Sequence, residues 1–222
     1  MTTIAIVRGK DRVVIGSESQ CTGGSTFYDF KIDKIYAGLI GGNVAAVCTA
    51  GCVRSAQLFE LFLGEHSQGI IAPKQFVFHV KAALVPALRA YLQANGALRT
   101  IEGAERWDTH VMIITEHAMV LIDDNFCVLE PSDNFFALGS GASYALGALD
   151  ATRNLSLSPR QRVKLALEAA KKYDIFSGGR LKTGEIIYGN APPKKRHKKT
   201  PKVPKGSKEA LEVQSRKRKR PA

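Results

Sequence analysis

Apolar spacing along this chain switches between strand and helix periods, and the order of the switches is what most constrains the fold. Thr3–Arg8 and Arg12–Ser17 are apolar and β-branched, and Gly9-Lys10-Asp11 between them suits a hairpin turn. Lys31–Ala37 and Val44–Thr49 are further short strand candidates around Gly41-Gly42. Helical spacing follows. Cys52–Glu65 carries Val53, Ala56, Phe59, Phe62 and Leu63. A second run repeats Phe76, Val80, Ala83, Leu84, Ala87, Leu88 and Tyr91 at the same period. Pro73 suits a first helical residue, and Asn95-Gly96 ends that helix. Strand spacing returns at His110–Thr115, Ala118–Asp123, Phe126–Glu130 and Phe135–Leu138. Helices are then expected at Ser143–Arg153 and Pro159–Tyr173, the second with a Ser158 cap, and a last strand at Leu181–Tyr188. Helices therefore come in pairs instead of alternating with strands, which argues against a doubly wound parallel sheet. The pattern predicts an α+β fold of two antiparallel sheets with a helix pair on each outer side.

Composition agrees with a globular body and separates it from a tail. Of 222 residues, 45% are apolar and 23% charged, which excludes a wholly disordered, collagen-like or coiled-coil chain. No run approaches the ~20 apolar residues of a membrane helix. The start, Met-Thr-Thr-Ile-Ala-Ile-Val, lacks the basic region and long apolar run of a signal peptide, so a cytoplasmic location is expected. The four cysteines, Cys21, Cys48, Cys52 and Cys127, are few and irregularly spaced, and free thiols are expected. No second Cys/His pair joins Cys48 and Cys52 in a zinc set, so no metal or cofactor is expected.

The net charge is +12, but it is not spread evenly. Residues 190–222 hold thirteen Lys/Arg against two Asp/Glu, so residues 1–189, with nineteen basic and eighteen acidic residues, are nearly neutral. Five of the nine prolines also lie in the C-terminal segment. We expect one domain over 1–189 and a disordered basic tail over 190–222. The clusters at 194–199 and 216–220 suit non-specific binding to nucleic acid phosphates. They contain no aromatic residue for base stacking, so sequence-specific readout is not expected. A solubilising role is the plainer reading.

The N-terminus holds a possible nucleophile. Thr2 is small enough for Met1 to be removed by methionine aminopeptidase. The new chain would start with a hydroxyl and an α-amine on one residue. An α-amine with an ordinary pKa of ~7.7–8.0 can serve as base at physiological pH, and the Thr/amine pair is a recognised way to activate a hydroxyl.

The sequence around Thr2 resembles the proteasome β-subunit family, closest in flavour to the bacterial HslV peptidase. Thr2-Thr3 is followed by Val13-Val14-Ile15-Gly16-Ser17-Glu18 and by Lys31-Ile32-Asp33-Lys34. Thr2 to Glu18 and Glu18 to Lys34 are both sixteen residues, the family spacing. Thr49-Ala50-Gly51, Gly139-Ser140-Gly141 and Asp174-Ile175-Phe176-Ser177-Gly178-Gly179 match later family motifs in order. The resemblance covers roughly residues 2–189. It implies a four-layer αββα Ntn-hydrolase sandwich and a threonine endopeptidase. Thr2 would be the nucleophile, Lys34 the cation that lowers nearby pKa values, and Glu18 its holder. The Gly51 amide would form the oxyanion hole, and Ser140, Asp174 and Ser177 would orient the amine. Cys21, Ile32, Thr49 and Val53 would line the pocket for the residue before the scissile bond, favouring apolar side chains. Substrate would add as a strand beside Cys21-Thr22. A ring homo-oligomer, an ATP-dependent unfoldase cap and a peptide or unfolded-protein substrate are implied as partners.

The chain departs from the family at two of these positions. Glu18 stands where Asp is usual, and Gly51-Cys52 where Gly-Gly is usual. A non-catalytic scaffold of the same fold, its tail recruiting nucleic acid, and an amidase acting on small amides are the alternative functions. His66, His79, His110 and His117 form no spaced set and read as packing or surface residues.

Overall fold

The computed structural model describes residues 2–23, 26–28, 32–66 and 71–187. The strands are β1 (Thr3–Arg8), β2 (Arg12–Glu18), β3 (Cys21–Gly23), β4 (Thr26–Tyr28), β5 (Ile35–Ile40), β6 (Asn43–Gly51), β7 (Arg99–Ile101), β8 (Ala104–Arg106), β9 (Thr109–Ile114), β10 (Met119–Ile122), β11 (Val128–Leu129), β12 (Phe135–Gly139) and β13 (Leu181–Ile187). The helices are α1 (Val53–His66), α2 (Phe76–His79), α3 (Val85–Ala94), α4 (Ala142–Ala151) and α5 (Pro159–Tyr173). No helix among the described residues is long and apolar enough to cross a membrane.

Two antiparallel sheets carry the fold. One has the order β12-β1-β2-β13, the other β11-β10-β9-β6-β5. Strands β1, β2, β6, β9 and β10 are buried on both faces over most of their length, and side-chain alternation sorts their apolar residues into separate clusters. Ile4 and Ile6 of β1 pack with Cys48 of β6 and with Met112 and Ile114 of β9, joining the two sheets. Ala5 and Val7, the intervening residues, pack instead with Ala145 and Leu149 of α4 and Val163 and Leu167 of α5. On the second sheet Val47, Val111, Ile113 and Val120 face Phe59 and Phe62 of α1 and Leu88 and Leu92 of α3. A one-residue slip in β1 would exchange both faces, so burial alone fixes its register. Gly16 of β2 lets α5 close in, since a Cβ there would meet Val163 at 2.6 Å and Leu167 at 2.7 Å.

Several elements differ from the sequence expectation. The expected continuous helix from Pro73 to Asn95 is broken into a 3₁₀ turn at Pro73–Gln75, α2, a π-helical turn at Val80–Leu84, and α3. Pro86 accounts for the break: it has no N–H to donate back and its ring crowds the preceding turn. The turn widens, and the Val85 amide donates to the Val80 carbonyl. The strand expected at Lys31–Ala37 begins only at Ile35, because Lys34 turns its side chain into the protein (Lys31 lies outside the described residues). The strand expected at Phe126–Glu130 shrinks to Val128–Leu129. Asp123 Oδ1 accepts from the Asn125 and Cys127 amides and holds a turn there instead. Two short hairpins, β3-β4 and β7-β8, were not expected. The final strand reaches Ile187; Tyr188 and the whole basic tail lie outside the described residues.

Candidate active site

The sheet register brings distant residues to one end of the fold. Thr3 pairs with Gly139 on one side of β1, Ile4 with Ser17 on the other, and Leu181 with Glu18. Thr2, Glu18 and Ser140 therefore share one end of the first sheet. On the second sheet Lys34 precedes β5 and its carbonyl accepts from the Thr49 amide, while Gly51 ends β6.

Glu18 is the hub. It is 1% exposed, and Thr2 and Lys34 are buried with it at 4% and 8%. Its Oε1 accepts from Thr2 Oγ1 at 3.0 Å, the Thr3 amide at 3.0 Å and Lys34 Nζ at 2.6 Å. Its Oε2 accepts from the Gln20 amide at 2.6 Å and the Gly178 amide at 3.4 Å. Five donors meet about four lone-pair sites, so both carboxylate oxygens are fully engaged as acceptors. Lys34 also donates to the Gln20 carbonyl at 2.6 Å. An ammonium has three donors; the third has no partner among the described residues. Burial pulls the Lys34 pKa below its ordinary value, and the hydrogen bond and charge of Glu18 only partly oppose this.

A second group lies beside the first. Asp174 ends α5, and its Oδ2 accepts from Ser140 Oγ at 2.7 Å and Ser177 Oγ at 2.6 Å. Ser177 Oγ lies 2.5 Å from Thr3 Oγ1, and the Ser140 amide donates to the Thr2 carbonyl at 2.8 Å. Burial alone would raise the Asp174 carboxyl, but the hydrogen bonds from Ser177, Ser140 and the Phe176 amide outweigh it and hold the pKa below its ordinary value. All seven residues expected to carry chemistry thus come together.

Two glycines are required here. Gly139 has φ +98°, and a Cβ on it would lie 1.8 Å from the Thr2 carbonyl oxygen. Gly51 has φ +138°, and a Cβ would meet the Asp108 carbonyl at 2.3 Å. Neither position accepts a side chain without moving backbone.

A slot of about 30 Å³ opens beside Thr2 and Gly51, lined by Cys21, Ile32, Lys34, Thr49 and Val53. All four residues expected to form the acyl-side pocket line it. Thr22 does not; it lies on β3, paired with Phe27. The sequence reading missed Thr3 and Gln20, whose backbone and hydroxyl groups complete the network. Their adjacency to Thr2 and Glu18 was the only available signal. It also missed a second, larger cleft on the other side of Thr2, lined in part by His110 and Asp124.

No protein-family model matches the chain. The ATP-dependent protease subunit HslV of Treponema denticola is 28% identical over 189 residues, 83% of this chain and 96% of its own length. The chain is similar in sequence to the HslV/proteasome β-like family. Solved structures agree on the α+β fold of this family. Thiobacillus denitrificans BPH matches with a TM-score of 0.71 at 22% identity, over 85% of this chain and all of that one. BPH in complex with epoxomicin gives 0.66 at 23% identity over the same shares. Eukaryotic HslV from Trypanosoma brucei gives 0.60 at 20%, over 84% of this chain and all of that one.

Proposed function

We propose that this chain is a threonine endopeptidase of the proteasome β/HslV type, hydrolysing peptide bonds with Thr2 after removal of Met1. The observation that carries the reading is the convergence of the Thr2 hydroxyl and the Lys34 ammonium on one buried oxygen of Glu18, at 3.0 and 2.6 Å. Glu18 is saturated by five donors and acts as a holder. The freed Thr2 amine is then the proton acceptor.

In this reading Thr2 Oγ attacks the peptide carbonyl and its proton passes to the α-amine. The uncommitted N–H of Lys34 favours the developing negative charge on Thr2 Oγ, and the Gly51 amide receives the oxyanion. The C–N bond breaks as the ammonium returns its proton to the leaving amine. Water, deprotonated by the same amine, then hydrolyses the Thr2 ester. Ser140, Asp174 and Ser177 position the N-terminus. The peptide adds as a strand between Cys21-Thr22 and the Gly51 segment, with its acyl-side residue in the slot lined by Cys21, Ile32, Thr49 and Val53.

The clusters described above support a four-layer αββα order, with α1–α3 outside one sheet and α4–α5 outside the other. Exposed Leu61, Phe78, Tyr144, Tyr173 and Ile175 on or beside the helices support contacts between copies in a ring homo-oligomer. The Treponema denticola relative is named as a subunit of an ATP-dependent protease, which supports an ATP-dependent unfoldase partner and a cytoplasmic setting. The mechanism needs no cofactor.

The test is direct. Full-length protein is treated with epoxomicin and digested, and the modified residue is found by mass spectrometry. An adduct on Thr2 with Met1 gone, lost in Thr2→Ala together with peptide hydrolysis, is expected. Hydrolysis that survives in Thr2→Ala refutes the assignment.

A further inference from the structure

Two cavities meet at Thr2 and Gly51, and they are very unequal. The slot on the Lys34 side measures about 30 Å³, room for one or two water molecules. The cleft on the other side measures about 640 Å³. It opens where the facing sheets part. Phe136 and Leu138 of β12 line it from one sheet, and Ala50 and His110, opposite each other in the β6–β9 register, from the other. Leu121 deepens the apolar floor.

The rim is polar and differently charged from its surroundings. Asp108 and Asp124 reach the cleft, while the arginines that pair with them, Arg99 at 3.2 Å and Arg106 at 2.6 Å, do not line it. Asp124 Oδ2 holds Arg106, and its Oδ1 lies 3.9 Å from His110 Nε2. The face presented to a ligand therefore carries two carboxylates and one imidazole over an apolar floor.

We propose that this peptidase selects its substrates on the amine side of the scissile bond: a large apolar side chain seats on Phe136, Leu138 and Leu121, and the Asp108–Asp124 rim rejects carboxylates. The inference rests on the reading of Thr2 as nucleophile and of the small slot as the acyl-side pocket. The slot beside Lys34 is the smaller of the two cavities, so a side chain seated there buries less surface than one in the cleft. The cleft can bury an aromatic ring, worth 150–250 Å². A carboxylate brought to the same place meets two carboxylates, while the arginines that pair with them lie outside the cleft lining; specificity of this kind comes from the repulsive contact as much as from the attractive one. The leaving amine occupies the cleft until the C–N bond breaks, so the selection acts on acylation.

Internally quenched peptides with Ala on the acyl side and Phe, Ala or Asp on the amine side test this with the full-length protein. We expect kcat/KM to fall about 10-fold or more from Phe to Ala and again from Ala to Asp. Asp124→Asn should narrow the Ala-to-Asp ratio, and Phe136→Ala the Phe-to-Ala ratio. Both variants should still be modified at Thr2 by epoxomicin, which shows that they fold. Equal kcat/KM for the three peptides, with Thr2 still modified by epoxomicin, overturns this inference and leaves the peptidase reading standing. No modification of Thr2 and no cleavage of any peptide overturns the peptidase reading, and this inference with it.

Discussion

Replacing Lys34 by Met isolates the buried charge pair at the centre of the site. Lys34 and Glu18 are 2.6 Å apart with side chains 8% and 1% exposed, so solvent screens them little. Removing the cation leaves the Glu18 carboxylate buried with only hydroxyl and amide donors. Breaking a buried pair in this way costs about 3–5 kcal/mol. A chain of this size shifts its melting temperature by roughly 2–4 °C per kcal/mol, so Lys34→Met should melt about 6–20 °C lower. The double variant Glu18→Gln/Lys34→Met removes both charges, and its loss should be smaller than the sum of the single losses by at least about 1 kcal/mol. The pH dependence has a definite sign. Burial lowers the folded pKa of Lys34 below 10.5, so between the two values the unfolded chain binds the proton more tightly and stability rises with pH. The penalty is complete below the folded pKa and relieved as pH climbs towards 10.5. Relative to Lys34→Met, the wild type should therefore gain stability from neutral pH upward. Urea midpoints measured from pH 7 to 10 for the four proteins check all three points. A loss under about 1 kcal/mol in Lys34→Met, or additive single losses, would show that the pair is not shielded from water as described.

Three further changes probe separate parts of the site, and a fourth, away from it, is a control. Glu18→Asp shortens the carboxylate that spans Thr2 Oγ1, the Thr3 amide and Lys34, so peptide kcat should fall about 10²-fold, the scale of an ångström misplacement; an unchanged kcat would show that Asp serves equally here. Gly139→Ala places a Cβ 1.8 Å from the Thr2 carbonyl oxygen at φ +98°, so activity should vanish and stability fall by at least about 1–3 kcal/mol. Gly184→Ala, with open space around its Cβ, should match the wild type in the same thermal and hydrolysis assays. Asp174 is held below its ordinary 3.8, so its contribution is complete above that value and lost as pH falls through the folded pKa. Asp174→Asn should therefore flatten the loss of stability seen in acid unfolding between about pH 5 and 2; an unchanged acid slope argues against the Ser140–Asp174–Ser177 arrangement.

What could be read from the sequence was what local chemistry dictates. β1 runs over Thr3–Arg8 and α5 over Pro159–Tyr173 as expected, because both have unambiguous periods and α5 has its Ser158–Gln161 capping box. The catalytic candidates and the slot residues Cys21, Ile32, Thr49 and Val53 were all assigned through the resemblance, which spacing and motif order carry. Features decided by a competing local bond were missed. Pro86 sat inside a run whose apolar spacing remained helical. The Glu102-Gly103 turn of β7-β8 has both residues at positive φ, a conformation that Asn-Gly signals more plainly. His110 and Asp124 meet only because β9 and the turn after β10 converge, and no sequence spacing connects them to Thr2.

The hydrogen bonds that place Thr2 bear on its proposed activation. Its hydroxyl donates to Glu18 and its carbonyl accepts from the Ser140 amide, while Thr3 is fixed by Glu18 and Ser177. None of these bonds uses the Thr2 nitrogen. With Met1 attached that nitrogen is an amide without a basic lone pair and cannot serve as the proton acceptor. Cutting the Met1–Thr2 bond turns the nitrogen into an amine and leaves in place the contacts among the described residues that orient the hydroxyl. On the proposed reading, placement is complete before the base exists, and the chemistry waits on one covalent event instead of on a rearrangement of the fold.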